Sequence, residues 1–147
     1  MSTVASVLRA KGEHVLMVAP DTQVERVAQR MRERQVGAFV VSSDGRHPEG
    51  LISERDIVNA IARSGRAVLD QPASKVMTPA VHVCRPTDSV RSVMATMTHW
   101  RVRRLPVVEH GEVGGIVSIG DVIKSYVDET DLEANIIRDA YLAHRSR

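Results

Sequence analysis

Hydrophobic positions along the chain switch between a helical and a strand-like spacing, and the same succession occurs twice. Two helix faces are predicted by apolar residues at helical intervals, Val24, Val27, Ala28 and Met31 in one half and Val90, Val93, Met94 and Met97 in the other. Continuous apolar runs at 38–41 and 105–108 predict buried strands, each followed by a polar turn and a second strand. The pattern therefore predicts the order strand, helix, strand, strand, helix in each half.

The boundaries of these elements follow from local signals. The first strand of each half is expected at Val15 to Val18 and at Val81 to Cys84. A proline and polar residues then start each long helix, and Thr22 with Glu25 matches a capping box.

Self-comparison of the chain shows an internal duplication. Pro20 to Val24 matches Pro86 to Val90 at an offset of 66 residues (86 − 20 = 66). The stretch Gly50 to Asp56 is repeated as Gly115 to Asp121, after a loop that is one residue shorter. Neither copy of roughly sixty residues can bury a comfortable core alone, so we expect their sheets to pack together and leave a cleft.

The repeated stretch places a serine and an aspartate between a strand and a helix. The residues are Ser53 and Asp56 in the first copy, and Ser118 and Asp121 in the second. A helix N-terminus favours a phosphate, a serine hydroxyl can donate to it, and a carboxylate can accept both hydroxyls of a ribose. The same spacing also matches a capping box that only stabilises the helix. Both interpretations remain open from the residues alone.

Composition narrows the classes of function. The 147 residues are 43% hydrophobic and 26% charged, which are globular values, and the pI of about 9.0 suits an anionic ligand without requiring nucleic acid. The lone Cys84 excludes an internal disulfide, and the six histidines show no metal-ligand spacing. No apolar stretch approaches the roughly 20 residues of a membrane span, and Met1 to Gly12 lacks the features of a signal peptide. We therefore expect a cytoplasmic protein that needs no metal.

The C-terminal residues lie outside the duplication. Thr130 to Glu133 matches a capping box, and Leu132, Ile136, Ala140 and Ala143 follow one helix face. The expected division is 1–66 for the first unit, 67–129 for the second and 130–147 for a helical tail. This tail either packs on its own chain or forms a dimer contact.

With these features the chain resembles the CBS domain family in its tandem form, the Bateman module. The resemblance covers roughly Val4 to Glu129 and rests on the duplicated unit, the strand Arg104 to Val108 and both Gly…Ser-x-x-Asp ends. It implies an α+β fold of two tandem β-α-β-β-α units packed sheet to sheet, with a C-terminal helix added. It also implies a non-enzymatic regulatory module that binds AMP, ADP, ATP, NAD(H) or S-adenosylmethionine. A homodimer that signals to a separate effector protein is expected, with AMP as the first candidate ligand.

The resemblance assigns residues to two sites. In the second site Asp121 would hold the ribose and Ser118 a phosphate, and the other members are Val18, Ala19, Arg103, Arg104, Leu105, Pro106 and Val107. In the first site Asp56 and Ser53 take these roles, and the other members are Phe39, Val40, Arg55, Cys84 and Arg85.

The two expected sites differ in charge. Gly37 and Ala38 stand in the first copy where Arg103 and Arg104 stand in the second, so the second site is expected to bind phosphate-bearing ligands more tightly. Two alternatives carry a different function. In the first alternative, the clefts are vestigial and the chain is a protein-interaction module. In the second, a basic cluster of Arg101, Arg103 and Arg104 binds nucleic acid.

Overall fold

Helices and short strands alternate along the chain in the computed structural model, which describes residues 2–12, 16–80 and 82–145. The described α-helices are Val4–Lys11 (α1), Val24–Arg34 (α2), Glu54–Ser64 (α3), Val90–Trp100 (α4) and Ile119–Arg145 (α5). The described strands are Met17–Val18 (β1), Ala38–Val41 (β2), Gly50–Ser53 (β3), Thr78–Pro79 (β4), Arg104–Glu109 (β5) and Glu112–Ser118 (β6). The predicted α+β class with a C-terminal helix is confirmed.

The strands form a sheet of four and a sheet of two. The larger sheet has the order β1-β2-β3-β4, with β1 parallel to β2 and the other neighbours antiparallel. Its register places Phe39 opposite Ile52, and Leu51 opposite Thr78. Strands β5 and β6 form the smaller sheet. All four residues of β2 are buried, as the continuous apolar run predicts.

The duplication seen in the sequence recurs in the backbone. Helices α2 and α4 both end at a non-glycine residue in the left-handed conformation, Gln35 and Arg101, each with φ of 54°. One residue further on, the N–H groups of Val36 and Val102 donate to the carbonyl of the fifth residue before them, at 3.1 and 3.0 Å. The predicted helix faces are confirmed, because the valines of these faces are buried to 1% exposure or less and Met31 and Met97 are also buried.

Each copy is preceded by a segment that hydrogen-bonds to the start of the other copy's first helix. The bonds in one half are Val4 N–H to Asp88 O at 2.9 Å and Val90 N–H to Ser2 O at 3.0 Å. The bonds in the other half are Ala73 N–H to Thr22 O at 2.7 Å and Val24 N–H to Gln71 O at 2.9 Å. The leading segments are thus exchanged between the copies, and α1 belongs with the helices of the second copy.

The compact units follow this exchange. Unit 1 contains Met1–Gly12, Cys84–Leu105 and Val117–Arg147, and unit 2 contains Glu13–Val83 and Pro106–Ile116. Unit 2 has a core of aliphatic side chains around Phe39, whose ring lies 5.3 Å from the Arg30 guanidinium carbon. In unit 1, α1 and α4 contribute the buried Val4, Val7 and Val93.

The first strand of each copy differs from its prediction. Val15 and Val81 lie outside the described residues, and the described part of the first strand is Met17–Val18. In the second copy Cys84 forms only an isolated bridge. Strand β4, which the pattern did not predict, lies before this position and pairs with β3 of the first copy. Pairing with a distant strand leaves no local periodicity, so the sequence pattern did not reveal β4.

The predicted capping box at Thr22 is wrong. Helix α2 begins one residue later, with Gln23 as an N-cap that makes no side-chain hydrogen bond. Thr22 instead accepts a backbone hydrogen bond from Ala73, and Gln23 bridges to Pro72, so the backbone is still extended at this position. The long-range contact therefore determines where the helix starts.

The predicted start of a separate tail helix at Thr130 is also wrong. Helix α5 runs without interruption from Ile119 to Arg145, and the Thr130 hydroxyl donates to the Tyr126 carbonyl inside it at 2.9 Å. A threonine within a helix can donate its hydroxyl to a carbonyl of the preceding turn, so the Thr130 hydroxyl has a partner without capping a new helix.

Substitution of Gly50 tests the close packing of β3 on β4. A Cβ atom at residue 50 would lie 2.6 Å from the Met77 sulfur and 2.7 Å from the Thr78 carbonyl oxygen, whereas one at Gly114 would meet no atom within 4 Å. We expect Gly50→Ala to cost about 1–3 kcal/mol of unfolding free energy, and Gly114→Ala to stay within about 0.5 kcal/mol. Thermal and urea unfolding of both variants measure this. Equal losses in the two would contradict the predicted steric clash.

Candidate functional site

The first repeated turn is a complete capping box. Ser53 is the N-cap of α3, and its Oγ accepts a hydrogen bond from the Asp56 N–H at 3.2 Å. In return, Asp56 Oδ2 accepts the Ser53 N–H at 2.8 Å. The other carboxylate oxygen, Oδ1, accepts the Thr78 hydroxyl at 3.2 Å, which ties the turn to β4. The capping interpretation is therefore correct as a description of this geometry.

The second turn repeats these bonds and adds a charge. Ser118 Oγ accepts the Asp121 N–H at 3.2 Å, and Asp121 Oδ2 accepts the Ser118 N–H at 2.9 Å. The Lys11 ammonium at the end of α1 donates to the same Oδ2 at 2.8 Å. The Ser118 N–H and the Lys11 ammonium thus both donate to Oδ2 and not to Oδ1.

Capping uses only part of each helix N-terminus. In α3 the first helical N–H, that of Glu54, donates to the Gly37 carbonyl at 3.0 Å. In α5 the first helical N–H, that of Ile119, donates to the Arg103 carbonyl at 2.8 Å. The third N–H donates to the serine. Among the described residues the second N–H, of Arg55 or Gly120, has no hydrogen-bond acceptor. Each turn thus retains one backbone donor at the positive end of the helix dipole, where an anion can bind.

Space for such an anion exists at the second turn. Apart from its chain neighbours and the backbone of its own helix, a Cβ atom added at Gly120 would have within 4 Å only the Ser118 Oγ, at 3.7 Å, among the described residues. The side chains of Ser118 and Asp121 are partly exposed, and 26% of the Asp121 side chain is accessible. Solvent, or a ligand in its place, therefore reaches the helix N-terminus.

The charge state of Asp121 favours hydrogen-bond acceptance. Burial raises its pKa, but hydrogen bonds from Lys11 and from the backbone and hydroxyl of Ser118 outweigh that effect and leave the pKa below its usual value. Asp121 is therefore a carboxylate at neutral pH, and a carboxylate can accept from the hydroxyls of a sugar.

A cavity of about 570 Å³ lies between α1 and α5 in unit 1, next to Asp121. Its polar lining brings two ammonium groups, three hydroxyls and three carboxylates together, from Lys11, Lys124, Ser2, Ser6, Ser125, Asp121, Asp128 and Glu129. Sequence reasoning missed Lys11 and Lys124. The basic end of α1 is visible in the sequence, but its place beside Asp121 depends on the exchange of leading segments between the copies.

The remaining residues expected in the second site lie in both units. Arg103 is exposed, Arg104 is half-buried and Leu105 is buried, all in unit 1 at the start of β5. The members Val18, Ala19, Pro106 and Val107 belong to unit 2, so their approach to Asp121 stays a prediction.

The first site divides in the same way. Phe39 and Val40 are wholly buried in unit 2, and Arg55 is exposed in the first turn of α3 beside Asp56. Cys84 is buried and Arg85 exposed, and both belong to unit 1, so their approach to Asp56 stays a prediction.

The described residues contain neither a cluster of metal-ligating side chains nor a helix that could span a membrane. Within residues 2–12, 16–80 and 82–145, no three histidine, cysteine or acidic side chains are grouped to hold a metal ion. No helix in that part of the chain combines the length and apolar character that crossing a bilayer requires.

Comparison with known proteins places this geometry in a family. The CBS domain model matches residues 7–63 and again 73–128. A mitochondrial CBS domain-containing protein from Arabidopsis thaliana is 31% identical over 136 residues, which cover 87% of this chain and 66% of that protein. The chain spans only 37% of a Thermofilum pendens relative to which it is 34% identical.

Solved structures agree in fold. A CBS-domain containing protein from Agrobacterium tumefaciens has 38% sequence identity and a TM-score of 0.79, with 85% of this chain and 99% of that chain covered. A CBS domain protein from Pyrobaculum aerophilum, complexed with AMP, has 25% identity and a TM-score of 0.71, with 82% and 89% covered.

The thiol of Cys84 should be unreactive in the folded protein. Burial, followed by the negative charge of Asp88, raises its pKa to about 12, so almost no thiolate forms at pH 8. We expect Ellman's reagent to react at least about 100-fold more slowly with folded protein than with protein in denaturant. Rapid stoichiometric reaction without denaturant would contradict this and would make a redox role credible.

Proposed function

This chain belongs to the CBS domain family, and from that premise we propose that it is a non-enzymatic regulatory module that binds an adenosine-containing ligand. AMP is the first candidate, followed by ADP, ATP and NAD(H). The observation that carries the proposal is the duplicated turn, which twice joins a carboxylate, a hydroxyl and an unused backbone N–H at the start of a helix. The relative from Pyrobaculum aerophilum, which is complexed with AMP, supports this choice of ligand class.

The three groups match the chemistry of a nucleotide. The Asp121 carboxylate accepts hydrogen bonds from the ribose hydroxyls, with Oδ1 accepting one and Oδ2 shared with Ser118 and Lys11. The Gly120 N–H and the Ser118 hydroxyl donate to a phosphate oxygen, assisted by the helix dipole. In the first copy Ser53, Arg55 and Asp56 are the corresponding groups. There Thr78 already donates to Asp56 Oδ1 and the Ser53 hydroxyl donates to Asp56 Oδ2 at 2.9 Å, so a ligand would have to replace these bonds.

Lys11 adds a second source of charge to the proposed second site. An ammonium group has three donors, and one of them is directed at Asp121. The positive charge of Lys11 also attracts a phosphate that lies beside the same carboxylate. With Arg103 and Arg104 in the same unit, Lys11 makes the second site the more basic of the two, as the sequence comparison of the copies predicts.

Regulation by this module requires a partner that responds to it. A ligand shifts a conformational equilibrium only through its different affinities for two states. We propose that the chain acts as a homodimer and transmits the shift to a separate effector protein. The second candidate function, a protein-interaction module with vestigial clefts, is favoured by the exposed apolar side chains on α5.

Isothermal titration calorimetry and thermal shift with AMP, ADP, ATP, NAD⁺, NADH and S-adenosylmethionine test the proposal. At 100 times its dissociation constant a ligand adds about 2.7 kcal/mol, which is about 5–10 °C in melting temperature for a chain of this size. No response to any of them would leave the interaction module as the function. A tight, salt-sensitive complex with RNA or DNA in place of a nucleotide response would instead indicate nucleic-acid binding.

Replacement of the two aspartates separates ligand binding from capping. We expect Asp121→Ala to lower AMP affinity by about 100-fold, because a charged acceptor of ribose hydroxyls contributes about 3 kcal/mol, and Asp56→Ala to lower it less. Either variant also loses about 0.5–2 kcal/mol of fold stability with its cap. Asp131→Ala, an exposed carboxylate on the same helix outside the cap and the cavity, is the control. If Asp121→Ala melts earlier but binds AMP normally, its carboxylate is a helix cap only.

Replacement of Lys11 distinguishes a phosphate contact from a structural ion pair. We expect Lys11→Met to weaken binding of AMP by about tenfold, on the order of one charge-assisted hydrogen bond, and to leave binding of adenosine within about twofold. Calorimetry with both ligands measures the difference, and Lys75→Met, at an exposed lysine of unit 2, serves as the matched control. Equal losses for AMP and adenosine would show that Lys11 acts through Asp121 and does not contact phosphate.

A further inference from the structure

The second half of α5 carries large apolar side chains that its unit does not cover. Every described residue after Glu129 is exposed. The large apolar side chains in this segment are between 51% and 69% exposed, and they are Leu132, Ile136, Ile137, Tyr141 and Leu142. A helix whose apolar residues all face water is unusual, and such a surface marks an interaction site.

All of these side chains except Leu142 lie on one half of the helix surface, which also carries the polar Thr130, Glu133 and His144. Successive residues of a helix are turned by about 100°, which places six apolar residues on one half of the circumference of α5. We call them the tail stripe: Leu132, Ile136, Ile137, Ala140, Tyr141 and Ala143. Leu142 lies on the opposite side. In the first half of α5 the same direction holds Val122, which is fully buried in unit 1. The stripe thus continues the core-facing side of the helix beyond Glu129, and it spans about 16 Å from Leu132 to Ala143.

The charges around the stripe select its partner. Residues 128–133 contain four acidic side chains and no basic one, whereas residues 134–145 contain Arg138 and Arg145 against the single Asp139. Two copies packed antiparallel therefore bring each acidic half against a basic half, and parallel packing would oppose like charges. The net charge of residues 128–145 is −3 (two basic, five acidic), which opposes binding to an anionic membrane or to nucleic acid.

From this geometry we infer that the tail stripe is an antiparallel interface between two copies of this chain. The inference specifies the surface of the homodimer proposed above and depends on that proposal. A stripe about 16 Å long forms an interface at the small end of the known range, below about 1,200 Å² in total, which corresponds to weak association.

Analytical ultracentrifugation of the full chain and two variants tests the surface. Ile136→Asp places a charge within the stripe, and Leu142→Asp places one on the opposite side at similar exposure. We expect Ile136→Asp to raise the dimer dissociation constant at least tenfold and Leu142→Asp to change it less than twofold. A monomeric wild-type chain would overturn the homodimer as well as the stripe. A dimer that tolerates both variants, or that is weakened equally by both, would overturn the stripe alone.

Cysteine crosslinking tests the orientation. Leu132 and Ala143 are eleven residues apart, about 16 Å along the helix, and the buried Cys84 thiol does not compete. In an antiparallel pair Leu132→Cys of one copy lies near Ala143→Cys of the other. We therefore expect a mixture of the two single variants to form disulfide-linked dimers faster than either variant alone. Faster crosslinking within each single variant would show parallel packing and contradict the inference.

Discussion

The N–H groups at the start of a helix need acceptors, and in this protein that requirement is met in the same way at two strand-to-helix turns. Serine and aspartate satisfy part of it, a backbone carbonyl satisfies another part, and one N–H in each turn is left for solvent or a ligand. Capping and ligand binding are therefore compatible uses of one arrangement. The cap holds each aspartate in position, and the remaining N–H of each turn lies at the positive end of the helix dipole.

The exchange of leading segments between the copies determines which charges meet at the second turn. Helix α1 comes from the start of the chain, yet it hydrogen-bonds to the residues before α4 and places Lys11 against Asp121. The corresponding segment of the second copy ends in β4, where Thr78 contacts Asp56. One turn therefore receives an ammonium group and the other a neutral hydroxyl, which gives the two copies different electrostatic environments despite the same capping bonds.

Local periodicity was sufficient to predict the helix faces, the strand β2 and the paired Ser-x-x-Asp turns, since each depends on residues close together in sequence. Features that depend on distant contacts were missed or misplaced. The helix start at Val24 and the strand β4 are set by backbone pairing with remote segments, and Lys11 is 110 residues from its partner. At Thr130 the capping motif was misleading, because a threonine can also bond within a continuous helix.

The most direct test of the account is a two-dimensional NMR titration of the isotope-labelled chain with AMP, following the backbone amides of both turns. The account predicts that Gly120 and Asp121 shift at lower AMP concentrations than Arg55 and Asp56, and that the Gly120 amide shifts downfield as it donates to a phosphate. Shifts confined to residues far from both turns, or no shifts at millimolar AMP, would contradict the claim that the capped helix N-termini are the ligand sites.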